Sequence, residues 1–152
     1  MQWRAISVAI GGVVAVGFIN EDRAIVGSHS GVGVFDVHTG QRIERTSDED
    51  YNWYQGDPPF IRYPSADGVR LIRAAGLWGG DLAQSTADGW TCHRVEAGAL
   101  LRAEGEPDFE IEDSEEYRAQ GFSPGGGAFV YATSPTVWLT TRQASELRYE
   151  LR

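Results

Sequence analysis

The apolar residues of this chain come in short runs, each closed by glycine, proline, asparagine or aspartate, and no long window repeats them at helical spacing. Without an apolar helical stripe to bury, such a chain must build its core from strands. Strand-like runs fall at 3–10, 13–19, 23–28, 32–37, 41–46, 60–63, 69–75, 90–96, 128–133, 136–141 and 147–151. Between them stand turn clusters such as Asn20-Glu21-Asp22, His38-Thr39-Gly40, Ala66-Asp67-Gly68 and Ala87-Asp88-Gly89, the punctuation that antiparallel hairpins require. The 19 glycines among 152 residues exceed an average share and fit many tight turns. A single all-β domain spanning 1–152 is therefore predicted.

Residues 5–19 (AISVAIGGVVAVGFI) follow Arg4 and have the apolar character of a signal peptide core. Gly11 and Gly12 break the run, no small-x-small cleavage site follows it, and it is short for a bilayer span. Two core strands joined by a Gly-Gly turn is the reading adopted, and with it a cytoplasmic location.

Three segments share a pattern of aromatic residue, polar turn and apolar strand: 18–26 (FINEDRAIV), 63–72 (YPSADGVRLI) and 122–131 (FSPGGGAFVY). In the first two copies a turn ending in glycine follows, at 34–43 (VFDVHTGQRI) and 81–90 (DLAQSTADGW). At these residues the sequence resembles the blades of β-propellers of the WD-repeat or quinoprotein kind. The turn beginning Phe122-Ser123-Pro124 is similar to the phenylalanine-serine-proline-aspartate-glycine turn of such blades, although the tryptophan-aspartate dipeptide that names the WD repeat is absent. The resemblance implies antiparallel meanders amounting to about three blades, fewer than a closed ring uses, so the bare sheet edges need covering by the termini, a second copy of the chain or a partner. A small β-sandwich or barrel has the same hairpin signals and remains the alternative.

The formal net charge is −9, with 22 acids against 13 basic residues, every one of them arginine. An acidic chain lacks the clustered cations that nucleic acid or an anionic membrane surface demands, which leaves a cationic protein as the complementary partner. The absence of lysine removes Schiff-base, phosphate-loop and lysine-base chemistry. Cys92 is the one cysteine, so no intramolecular disulfide forms.

The surplus charge is concentrated. From Glu104 to Glu116 the chain reads EGEPDFEIEDSEE, eight carboxylates in 13 residues, and without them 14 acids face 13 arginines. A solvated loop is the ordinary form of such a run. Here, however, Phe109 and Ile111 alternate with acids, as on a strand with one apolar face. An acidic insertion at about 102–119 is expected, with Asp108, Glu110, Glu112, Asp113, Glu115 and Glu116 as contacts to a partner, because a carboxylate ridge steers and then pairs with cationic surfaces. A second cluster sets Asp48, Glu49 and Asp50 beside Tyr51, Trp53 and Tyr54; these are either interface anchors or core residues pinning a loop.

His29, His38 and His93 occur at no metal-ligand spacing. Residues 27–31 (GSHSG) hold histidine where a nucleophile elbow needs serine, and neither 31–33 (GVG) nor 125–127 (GGG) completes a dinucleotide or phosphate motif. No cofactor, metal or catalytic set is assigned. The expected function is protein binding, in the manner of an immunity-type inhibitor capping a cationic toxin or nuclease. The alternatives are a propeller-like scaffold that dimerises with itself, and a hydrolase or lyase whose site is gathered from distant residues.

Overall fold

The computed structural model describes residues 2–47, 50–65 and 68–142. The run at 147–151 and the first two residues of the turn at 66–68 lie outside them. Among the described residues the chain forms strands and no helix: β1 (Trp3–Ala9), β2 (Val13–Asn20), β3 (Arg23–Ser28), β4 (Gly31–Asp36), β5 (Arg42–Ser47), β6 (Tyr54–Gln55), β7 (Phe60–Ser65), β8 (Gly68–Gly76), β9 (Thr91–Val95), β10 (Gly98–Arg102), β11 (Phe109–Glu112), β12 (Tyr117–Phe122), β13 (Ala128–Thr133) and β14 (Thr136–Arg142). Every pairing between strands is antiparallel.

The strands make three sheets, ordered β1-β14-β13-β12, β11-β10-β9 and β5-β4-β3-β2-β8-β7-β6. Cores fill the spaces between their faces. Val16, Phe18, Val26 and Phe35 on one face of β2–β4 meet Val130, Val137 and Leu139 of the four-stranded sheet. The opposite face of the same strands, through Val14, Ile25 and Val34, packs on Ile61, Ile72 and Trp53. Because β2 and β3 are buried on both faces, they read as continuous apolar runs instead of alternating ones. The third core sets Trp3, Phe122, Phe129 and Tyr131 against Trp90, Leu101 and Ile111. Each fully covered side chain of this kind contributes about 1.5–3 kcal/mol.

The first apolar stretch does form two strands joined at Gly11 and Gly12, both at positive φ (79° and 63°). They are not a hairpin. β1 pairs with β14 from Trp3↔Arg142 to Ala9↔Thr136, whereas β2 enters the seven-stranded sheet. The N-terminal strand thereby completes a sheet whose other three strands come from the far end of the chain.

The repeated segments are all hairpins, β2–β3, β7–β8 and β12–β13, but the second is placed differently. Its later strand, β8, lies against β2 through Ala15↔Gly76, Val16↔Ala75 and Gly17↔Ala74. Small residues permit that approach: a Cβ on Gly76 would stand 1.9 Å from the Val14 carbonyl oxygen. Joined there, the sheet curls into a half-barrel around the Trp53 core. Residues 102–119, expected as an insertion, hold the end of β10, all of β11 and the start of β12. No helix of the described residues is long and apolar enough to cross a membrane.

Candidate functional site

The acidic segment is built around an edge strand. β11 pairs with β10 at Leu101↔Phe109 and Ala99↔Ile111. Ile111 is buried and Phe109 packs on the same core, so the pleat turns Glu110 and Glu112 to the outer face, where both are exposed. Charge on an edge strand also discourages a foreign strand from adding there.

The six predicted acids divide into two groups. Asp108 receives a forked pair of bonds from Arg102 (Nε at 3.2 Å, Nη2 at 3.1 Å), which holds its carboxyl below the usual range. Asp113 turns inward and accepts from Trp138 Nε1 at 2.9 Å and Thr133 Oγ1 at 3.1 Å, while its own N–H donates to the Ala97 carbonyl. Glu116 pairs with Arg118, a mostly buried side chain whose Nε donates to the Val13 carbonyl at 2.8 Å. These three carboxylates are committed to holding the loop. Glu110, Glu112 and Glu115 are exposed and carry no ion pair among the described residues, so they are the ones presented outward.

Asp48 and Glu49 of the second cluster lie outside the described residues, and Asp50 is exposed. Trp53 takes the core reading: at 4% exposure it is packed beneath β2–β4, its ring filling the space over Gly27. It forms the floor of an aromatic square. Ring centroids run Trp53 to Tyr51 at 6.1 Å, Tyr51 to Trp78 at 5.6 Å, Trp78 to Tyr54 at 4.8 Å and Tyr54 back to Trp53 at 5.9 Å, all steeply inclined. Tyr51 sits at φ 59°, an uncommon backbone state for a bulky residue, and its hydroxyl bonds His29 Nδ1. Trp78 and its neighbour Leu77 remain 48% and 46% exposed. Neither Trp78 nor His29 was singled out from the sequence as a contact. The available signal was an apolar Leu77-Trp78 pair set directly before Gly79-Gly80, where a turn should be polar.

A chain of backbone bonds carries the acidic loop and the aromatic square to the same end of the sheets. Ser134 N–H donates to the Glu116 carbonyl, Val13 N–H to Ser134, His29 N–H to Gly12 and Leu77 N–H to Val14. His29 then reaches Tyr51, and Tyr51 reaches Trp78. The turns β1–β2, β3–β4, β11–β12 and β13–β14 thus share one end with the tip of β8. Glu96, Glu112, Asp113, Glu115 and Glu116 stand at or beside this end, whereas Glu104, Glu106 and Asp108 belong to the β10–β11 turn at the other end of their sheet.

The other ionisable groups are dispersed. His38 Nε2 meets Asp22 at 2.9 Å and His93 Nε2 meets Thr91 Oγ1 at 2.9 Å, apart from each other and from His29. Among the described residues no group of three or more His, Cys, Asp or Glu is gathered as a metal ion needs. Cys92 is buried, and burial pushes its thiol up to about 11. Compared with protein-family models, curated proteins and solved structures, the chain matches none.

Proposed function

We propose that this chain is a protein-binding domain of the immunity-inhibitor kind, which caps a cationic protein such as a toxin or nuclease with the loop end described above. The observation that carries the proposal is the meeting of two unlike features at one end: outward carboxylates at Glu112 and Glu115, with Glu110 on the same outer face of β11, and an aromatic square whose Trp78 is half exposed. Carboxylates accelerate encounter with a basic surface and pair with its Arg and Lys groups. Rigid aromatic rings supply the desolvated anchor that charge alone lacks, and they also attract cations over their faces.

The same proposal keeps the blade resemblance. In a propeller-like fan the last sheet is completed by the first strand, and the pairing of β1 with β14 supports that arrangement.

The test is affinity capture from the native host with the wild-type chain and the triple variant Glu110→Gln, Glu112→Gln, Glu115→Gln. The expected result is a basic protein retained at low salt, released as salt rises, and captured at least about tenfold less by the variant. Equal capture by the variant, or retention indifferent to salt, contradicts the proposal.

A further inference from the structure

A groove of about 380 Å³ lies between the end of β1 and the face of β4. Its floor is made by Val26 and Phe35, with Val8 and Ile10 as one wall and Ser28 and Ser30 beside them. Glycine at 31 and 33 leaves β4 without side chains there, and a Cβ on Gly33 would meet the Phe35 ring at 2.9 Å. The opposite rim carries Arg42 and Arg45, both on the exposed edge strand β5. Neither guanidinium has an acid partner among the described residues, and no carboxylate lines the groove. In a protein of net charge −9, two unpaired arginines over an apolar slot form a local site of opposite sign.

We infer that this groove binds a small amphipathic carboxylate, its apolar tail against Val8, Ile10, Val26 and Phe35 and its carboxylate between Arg42 and Arg45. The chemistry is selective at both ends. A guanidinium offers a planar fork that matches a carboxylate, and the side chains of Val8, Ile10 and Phe35 favour an apolar tail against them. The volume suits about a dozen non-hydrogen atoms, at roughly 30 Å³ for each. The inference is independent of the acidic end, since none of Glu110, Glu112 and Glu115 faces the groove.

The experiment titrates the ¹⁵N-labelled chain with decanoate below its micellar concentration, and with decanol and acetate, following backbone amide signals. Decanoate is expected to shift Gly31, Val32 and Gly33 saturably, with decanol and acetate at least about tenfold weaker. Arg42→Gln with Arg45→Gln should weaken decanoate about tenfold or more while leaving signals far from the groove unchanged. Val8→Trp, which fills the slot and keeps both arginines, should also abolish the shifts. Decanol binding as tightly as decanoate, shifts centred elsewhere, or a double variant that binds like the wild type overturns the inference.

Discussion

Glu21 stands in the turn between β2 and β3, yet its carboxylate is held by a different hairpin. It accepts from Ser123 Oγ at 2.6 Å, Gly125 N–H at 2.7 Å and Gly127 N–H at 3.0 Å, all in the turn between β12 and β13. Burial acts to raise its pKa, and the three donors outweigh burial and lower it below the ordinary 4.5. The glycine-rich turn, which in sequence looks like a place to receive an anion, is thus occupied by the protein's own carboxylate. Because the folded pKa is depressed, the contribution to stability is fully present above pH 4.5 and is lost as pH falls through the lower folded value. Glu21→Gln should cost about 1 kcal/mol in urea denaturation at pH 7, reduced from a buried charged bond by partial exposure. That difference should shrink as the pH is taken below 4.5; a pH-independent difference would assign the effect to packing instead.

Among the elements, β8 has an exacting position, because its last residues lie on β2 with no space for a side chain at Gly76. Gly76→Val should destabilise the fold by about 2–3 kcal/mol in urea denaturation, since the obstacle is backbone and cannot rotate away. A neutral result would mean that β2 and β8 are not held this closely. The strands most legible in the sequence were those with local signals: β2, β3, β13 and β14 are apolar runs between turn residues, and β11 announced itself by Phe109 and Ile111 alternating with acids. β12 does not stand out because the residues alternating with Arg118 and Gln120 include Ala119 and Gly121, too small to read as an apolar face, and β10 because its apolar residues Ala99, Leu100 and Leu101 run together without alternation. The pairing of β1 with β14 left no local trace, since register between strands so distant is fixed by cores that only the folded chain creates.

At the scale of the whole molecule, the two clusters that composition picks out are divided by the fold between internal and outward-facing side chains. The carboxylate run could be counted, but not which acids would be consumed internally: Asp113 serves Trp138 and Thr133, and Glu116 serves Arg118. The aromatic residues at 51–54 could be seen, but Trp53 became the floor, and the exposed ring came from Trp78 on another strand's end. Their convergence is a property of topology, produced by turns that all open at one end of the sheets. If that convergence is what a partner recognises, a complex with the captured basic protein should show hydrogen exchange slowed together at 113–116, 50–54 and 76–79, with β5 unaffected. Protection confined to one of these stretches, or centred on the opposite end near the turn at 123–127, would contradict it.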